Sequence, residues 1–204
     1  MNRRRQLAAG ILGSCLLLIT VFVAASASGA PLDAPEPDRM ARWASRMILR
    51  ARGGTFVSFP GVVLQSGLSD CGPAALATLL LTLGGSPPSL DSLAILAGTG
   101  PRGTTFAGLE RAALALGMET ELTRLDSAAL AVLDTPVIAW VDEGHFVTVV
   151  PEAKGDALVL DPQAGPYRIS MRGLRRFWRG EALLLRPARN SAASADPLRE
   201  GGRS

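Results

Sequence analysis

The spacing of hydrophobic positions changes about halfway along the chain. In the first half, apolar residues recur every three or four positions or fill whole segments, which is typical of helices. The segment 71–83 is apolar on nearly all sides and is followed by glycines and prolines, so it predicts a buried helix. The predicted helices are 39–52, 71–83, 89–97 and 105–116.

The second half of the chain alternates short β-branched or apolar runs with turn-forming sequences such as Asp142-Glu143-Gly144. Helices followed by an antiparallel meander predict an α+β domain, with the N-terminal helices packed on an antiparallel sheet. The predicted strands are 136–141, 145–150 and 157–160, with a further short strand and a closing strand between 167 and 185.

The segment 39–52 is strongly amphipathic. Met40, Trp43 and Met47 fall on one face of the predicted helix, and the arginines at 39, 42, 46 and 50 fall on the other. We expect the apolar face to dock on the core and the basic face to lie in water. Binding of an anionic membrane surface by this helix is the alternative.

The N-terminus predicts export. Arg3, Arg4 and Arg5 precede an apolar run over 7–24, and Ala25-Ser26-Ala27 suits signal-peptidase cleavage. An uncleaved membrane anchor and a lipoprotein modified at Cys15 are the alternatives. All three place the domain outside the cytoplasm: periplasmic, secreted or anchored to the outer face of the membrane.

These features predict four parts of the chain. Residues 1–27 are a signal peptide or membrane anchor, and 28–54 are a linker with a short amphipathic helix. Residues 55–187 form one α+β domain, and the polar residues 188–204 form a disordered tail. Contact with a membrane is expected only through the N-terminal segment.

Charge argues against a nucleic-acid partner. The 204-residue chain has a formal net charge of +3, but three of its 21 basic residues lie in the leader. The 18 basic residues that remain equal the 18 acidic ones. Nucleic-acid binding needs clustered positive charge, which this balance does not favour.

The chemistry centres on one cysteine and one histidine. Cys15 lies in the leader, so Cys71 is the single cysteine of the mature domain and has no disulfide partner. Pro73 is tolerated only in the first turn of a helix, which places Cys71 at a helix N-terminus, where thiolates are stabilised. His145 is the single histidine and follows a predicted turn. A buried, inert cysteine and a structural histidine are the alternatives.

Two further residues complete a candidate catalytic set. Asp161 ends the strand after that of His145, so a hairpin would bring the two together, although Asp161-Pro162 also fits a plain turn. Gln65 precedes Cys71 by six residues and could donate to an oxyanion; otherwise it is a loop residue. No cofactor or metal site is predicted, because one histidine and one mature cysteine cannot supply the usual ligands.

The order Gln65, Cys71, His145, Asp161 resembles the papain-like cysteine peptidases. The motifs Asp70-Cys71-Gly72-Pro73-Ala74-Ala75-Leu76, Gly103-Thr104-Thr105, His145-Phe146-Val147-Thr148-Val149 and Val159-Leu160-Asp161-Pro162 are similar to those of the bacteriocin-processing, double-glycine leader peptidases. The resemblance covers about residues 56–186.

That resemblance implies a fold, an activity and partners. It implies a papain-like fold, Cys71 as nucleophile, His145 as general base and acid, Asp161 as the orienting carboxylate and Gln65 in the oxyanion hole. Family members cut after Gly-Gly in leader peptides, and the best-known ones sit at the cytoplasmic N-terminus of peptide-exporting ABC transporters. We therefore expect a peptide or protein substrate and a peptide exporter as a partner. The alternatives are a non-catalytic peptide-binding module of the same fold, or a transpeptidase or amidase.

Overall fold

The longer helices lie in the first half of the chain and most strands in the second, as the hydrophobic spacing predicts. The computed structural model describes residues 37–152 and 155–187, so the predicted leader and tail, and most of the predicted linker, lie outside the described residues. The chain divides into two compact units, 1–40 and 41–204, and the site discussed below lies in the second.

The helices are α1 (Pro37–Ala51), α2 (Cys71–Thr82), α3 (Leu90–Ala97), α4 (Phe106–Ala115), α5 (Ser127–Ala131) and α6 (Met171–Leu174). The strands are β1 (Thr55–Phe56), β2 (Met118–Arg124), β3 (Val137–Val141), β4 (His145–Glu152), β5 (Asp156–Asp161), β6 (Gly165–Ser170) and β7 (Trp178–Pro187). The predicted α+β class is confirmed.

Seven strands form one sheet in the order β1-β6-β5-β4-β3-β7-β2, and each neighbouring pair is antiparallel. Alternate side chains of β3 and β4 point to opposite faces. Ile138 and Phe146 join α2, α3 and α4 in one apolar cluster. Val137 and Val147 join Leu49 of α1 in the cluster on the other face.

Helix α2 is buried against this sheet because it has no polar face. Residues 71–80 are all buried. The two threonines at the contact are satisfied within the protein, since Thr148 Oγ1 donates to the Ala75 carbonyl at 2.8 Å and Thr78 Oγ1 accepts from Val63 N at 3.0 Å. The layer between α2 and β4 is therefore well packed, which fixes the position of the helix start.

Helix α1 docks by the face that the sequence analysis placed in water, so that prediction is wrong. Trp43 and Met47 are 67% and 46% exposed, whereas Leu49 is 7% exposed. The Arg46 guanidinium lies 4.2 Å from the centre of the Phe56 ring. Arginine can dock in this way because its stem is apolar and its planar head stacks on aromatic rings.

The elements that were not predicted include strand β2 and the short helices α5 and α6. Strand β2 pairs only with β7 and forms one edge of the sheet, and its side chains are exposed or half-buried. Because these side chains are not buried, the strand has a polar sequence without the apolar run by which the other strands were predicted. Helix α5 is one turn long and begins at Asp126, whose carboxylate accepts from Ala128 N and Ala129 N.

Candidate active site

Cys71 begins helix α2 and is 6% exposed. The preceding residue, Asp70, does not cap the helix with its side chain. Its carboxylate turns back instead and accepts from Ser66 N, Ser66 Oγ and Gly67 N at 2.7 to 3.0 Å. The Asp70 carboxylate therefore shapes the loop ahead of the thiol, while the first amides of the helix stay available to an anion.

Gly72 is needed where the chain passes Thr104. A Cβ added at Gly72 would lie 2.8 Å from Thr104 Cβ and 3.0 Å from its Oγ1, closer than side chains tolerate. Thr104 is held by the hydrogen bond between its Oγ1 and that of Thr99, at 2.8 Å. The loop carrying Thr104 therefore packs directly against the residue after the thiol.

His145 and Asp161 meet at one end of the sheet. His145 begins β4, Asp161 ends the neighbouring strand β5, and His145 Nε2 lies 2.9 Å from Asp161 Oδ1. The same carboxylate oxygen accepts from Gln163 N and Ala164 N at 2.7 and 3.0 Å. Asp161 thus stabilises a turn and also faces the imidazole. The two roles considered for it, a turn residue and a partner of His145, are therefore compatible.

Cys71 and His145 also interact, and each changes the other's pKa. Burial alone would raise the pKa of the Cys71 thiol, but the hydrogen bond and charge of His145 and the backbone N–H groups of Phe146 and Gly72 lower it from its usual value. Burial alone would lower the pKa of His145, but Asp161 and Cys71 raise it to about 10. Both directions favour a thiolate beside an imidazolium.

The turn before His145 adopts an unusual backbone conformation. Asp142 and Glu143 have φ values of +49° and +55°, and Gly144 N donates to the Val141 carbonyl. Left-handed conformations at two residues with side chains cost free energy. Ion pairs from Arg52 to Asp142, at 2.6 Å, and from Arg179 to Glu143 flank the turn.

Gln65 lies beside the Asp161 turn, because its backbone N donates to the Pro162 carbonyl at 2.9 Å. Its side chain folds onto its own loop: Nε2 donates to the Gly67 carbonyl at 2.8 Å, and Oε1 is buried without a hydrogen-bond partner among the described residues. A primary amide nitrogen carries two hydrogens, so one donor remains for another acceptor.

A cavity of about 190 Å³ opens beside the thiol. It is lined by Leu68, Cys71, residues 101–104, Trp140 and Gly144. Trp140 packs on the core, since its ring lies 4.4 Å from that of Phe146, centre to centre. It is only half-buried and also walls the cavity, a role that its position in an apolar run does not reveal.

A second cavity of about 190 Å³ lies on the other side of the imidazole. Arg52, Asp142, His145, Asp161 and Tyr167 are among its lining residues. Tyr167 is almost fully buried, and burial together with the charge of Asp161 raises its pKa well above the usual value. Tyr167 therefore stays neutral next to the Asp161 carboxylate.

Comparison with known proteins gives a consistent result. The profile of the Peptidase C39 family matches residues 60–190. An uncharacterized protein of Methanothermobacter marburgensis is 31% identical over 64% of this chain and 92% of its own length. The colicin V secretion/processing ATP-binding protein of Escherichia coli is 32% identical over 62% of this chain, which spans only 18% of that protein.

Solved structures agree with the sequence relatives. The peptidase domain of Streptococcus ComA, a bifunctional ABC transporter involved in quorum sensing, superposes with a TM-score of 0.58 and 29% identity, over 63% of this chain and 99% of that one. A double-glycine-motif protease from an AMS/PCAT transporter, solved with its leader peptide, gives a TM-score of 0.58 and 26% identity over 62% and 91%.

The prediction that the domain is exported is wrong. The relatives of named function are ATP-binding secretion proteins, the class whose peptidase domains sit on the cytoplasmic side. The predicted signal peptide, anchor or lipidated cysteine lies outside the described residues, and the comparisons do not support it. Within residues 37–152 and 155–187, no helix is both long and apolar enough to cross a bilayer.

Proposed function

Since the chain belongs to the peptidase C39 family and is a cysteine peptidase of papain-like fold, we propose that it cleaves peptides with Cys71, His145 and Asp161. The observation that carries the proposal is the position of His145. Its Nε2 lies 2.9 Å from Asp161 Oδ1, and the imidazole and the Cys71 thiol each shift the other's pKa in the direction that favours the charged form. One imidazole therefore links the nucleophile to an orienting carboxylate.

The proposed reaction is acyl transfer to water. The Cys71 thiolate attacks the carbonyl carbon of the scissile bond, and the carbonyl electron pair moves onto oxygen. The C–N bond breaks as the His145 imidazolium gives its proton to the leaving amine. Water, deprotonated by His145, then attacks the thioester, which releases the carboxyl product and regenerates the thiolate.

The developing oxyanion would be stabilised by the backbone N–H of Cys71 and by Gln65. The free hydrogen of the Gln65 amide is the donor that we assign to this role, since the other is used by Gly67. Loss of an oxyanion donor lowers kcat by about 100-fold or more. Gln65→Ala should therefore reduce kcat by roughly that factor, with a much smaller effect on KM.

The substrate that we propose is a leader-type peptide cut after Gly-Gly, and the partner is a peptide exporter. The cavity beside Cys71 supports this, because Gly103, Gly144 and Trp140 leave a narrow space at the thiol. A glycine pair has no side chains to clash there. We further propose that the peptidase domain spans 55–187, because β1 pairs with β6 inside the sheet.

The experiment is cleavage of a synthetic leader peptide ending in Gly-Gly and followed by a short cargo, read by mass spectrometry. The expected result is one cut after the second glycine, abolished by Cys71→Ala. Replacing Gly-Gly with Ala-Ala tests the specificity separately. Cleavage that persists in Cys71→Ala would contradict the mechanism, and binding without cleavage by the reduced wild type would indicate a peptide-binding module instead.

A further inference from the structure

An arginine-rich segment lies outside the candidate active site. Residues 165–180 contain five arginines and no carboxylate, although residues 28–204 as a whole hold equal numbers of basic and acidic residues. The segment runs through β6, α6 and the start of β7. Its arginines are exposed, namely Arg168, Arg172, Arg175, Arg176 and Arg179. Two of the five are paired with carboxylates, Arg168 with Glu152 and Arg179 with Glu143. The other three have no carboxylate within 4.0 Å among the described residues.

A cavity of about 480 Å³ opens into this segment. Arg124, Arg175, Arg179, Ser127 and Trp178 line it, with Leu125, Asp126 and Gly180 completing the walls. It is more than twice the volume of the cavity beside the thiol. Arginine side chains around a concave, water-accessible space are typical of sites for carboxylates and other anions.

The polar groups of this cavity are only partly used within the protein. Arg124 pairs with Glu181, and Arg179 pairs with Glu143. Among the described residues, no carboxylate lies within 4.0 Å of the Arg175 guanidinium. Ser127 Oγ is buried and has no hydrogen-bond partner in the same part of the chain. A cation and a buried hydroxyl are therefore both free to bind a ligand.

The cavity lies at the same end of the sheet as the candidate active site. The start of β7 lies there between the C-terminal ends of β2 and β3. In the register of the sheet, Arg124 is opposite Glu181 and Val141 is opposite Trp178. Val141 is also paired with His145. The Glu143–Arg179 ion pair joins the turn before His145 to the arginine cavity.

The distance between the two places suits one extended peptide. Three inter-strand steps separate β4, which carries His145, from β2, which carries Arg124. At about 4.8 Å a step this is roughly 14 Å. An extended chain advances about 3.3 Å per residue, so four to five residues of a substrate would span the width between β4 and β2.

Resting on the proposed peptidase function, we propose that the arginine cavity is a substrate subsite for carboxylate side chains four to five residues from the cleaved bond. Arg175 provides the free guanidinium, Ser127 the free hydroxyl and Trp178 the wall. The substrate class is then a peptide with an acidic segment near its cleavage site. An anionic membrane surface fits less well, because a lipid headgroup would have to enter a cavity beside a catalytic turn.

The test uses quenched fluorescent peptides that share one scissile core. One peptide carries Asp-Glu at the fourth and fifth residues before the cut, and a second carries Asp-Glu at the fourth and fifth residues after it. A matched neutral peptide for each carries Asn-Gln at the same positions. The wild type should cleave one acidic peptide with a KM about tenfold lower than its neutral match. Arg175→Ala should remove that preference without changing kcat on neutral peptides, and Arg175→Glu should reverse it.

Arg186→Ala is the matched control, because Arg186 is an exposed arginine at the far end of β7, away from the start of that strand, which lines the cavity. It should leave the preference unchanged. Equal KM values for acidic and neutral peptides in the wild type, or a preference that survives Arg175→Glu, would overturn the proposal.

Calorimetry on the Cys71→Ala protein keeps this result separate from the fate of the proposed peptidase reaction. Even if no peptide is cleaved, the acidic peptide should bind at least tenfold more tightly than the neutral one, Arg175→Ala should abolish the difference and Arg175→Glu should reverse it. Equal binding would overturn the proposal. Arg175-dependent binding to phosphatidylserine vesicles without any peptide preference would also overturn it and assign the patch to lipid.

Discussion

At the residue scale, the thiol is activated by its neighbours against the effect of burial. Cys71 is 6% exposed, and a buried thiol without partners would resist ionisation. The hydrogen bond and positive charge of His145, together with the backbone N–H groups of Phe146 and Gly72, outweigh burial and lower the Cys71 pKa, and Asp161 stabilises the imidazolium in turn. The three side chains therefore form one electrostatic unit, and a change in one should be measurable at the other two.

The pH dependence of cleavage should report this unit. The pKa of His145 is raised to about 10, so the imidazolium persists until the pH rises through that value. The pKa of Cys71 is lowered, so the thiolate persists as the pH falls below the usual range for a thiol. We expect a bell-shaped profile of kcat/KM with its alkaline limb near pH 10. Asp161→Asn should keep the turn, because an amide oxygen accepts the same N–H groups, but should move the alkaline limb to lower pH. An unmoved limb would contradict the role of Asp161.

Gly72 provides a test of packing beside the thiol. Gly72→Ala places a Cβ 2.8 Å from Thr104 Cβ, so the helix start or the 101–104 loop must shift. We expect a loss of about 1–3 kcal/mol in the free energy of unfolding, together with a drop in kcat. Urea denaturation and steady-state kinetics measure both. Gly100→Ala is the control, since a Cβ there meets nothing within 4 Å, and equal effects of the two substitutions would refute this explanation.

At the scale of elements, the β3–β4 turn and helix α1 act together on the histidine. The turn carries two left-handed residues with side chains and is held by arginines from outside the hairpin. Arg52 follows α1 directly, and its guanidinium lies 4.9 Å from the Phe177 ring as well as on Asp142. Helix α1 precedes the residues matched by the family profile, so this support is an addition to the shared domain.

Arg52→Ala should therefore impair catalysis more than stability. The turn loses one of its two ion pairs, and we expect His145 to sample non-productive positions, with kcat lowered several-fold and KM nearly unchanged. Arg50→Ala is the matched control, because Arg50 lies near Phe56 and has no contact with the turn in the described residues. If Arg52→Ala and Arg50→Ala left kcat equally intact, α1 would have no part in positioning the histidine.

The turn itself offers a stability test. Type I′ turns favour glycine at the second central position, which is Glu143 here. Glu143→Gly removes the left-handed strain of about 1 kcal/mol or more, while the exposed ion pair with Arg179 contributes less than that. We expect the midpoint of thermal unfolding to rise by a few degrees. A fall would show that the ion pair outweighs the strain.

At the scale of the whole molecule, sequence predicted what depends on local pattern. The apolar run after Cys71 predicts a buried helix, and α2 is buried. The β-branched and apolar runs after 136, separated by turn sequences, predict the hairpin that brings His145 to Asp161. What depends on tertiary packing was missed: the docked face of α1, the wall formed by Trp140 and the arginine cavity, where residues distant in sequence meet. The export prediction failed for another reason, since it rested on an N-terminal pattern rather than on the domain.

The fold brings together Cys71 of α2, His145 of β4 and Asp161 of β5. The pH dependence of Cys71 alkylation tests most directly whether these side chains activate the thiol. Iodoacetamide alkylation is followed against pH, with the label located on Cys71 by mass spectrometry, in the wild type and in His145→Ala. The wild-type thiol should react well below its usual pKa of about 8.5. The variant should react only at higher pH, because the backbone N–H groups of Phe146 and Gly72 alone then oppose the effect of burial. Identical profiles in the two proteins would contradict the account.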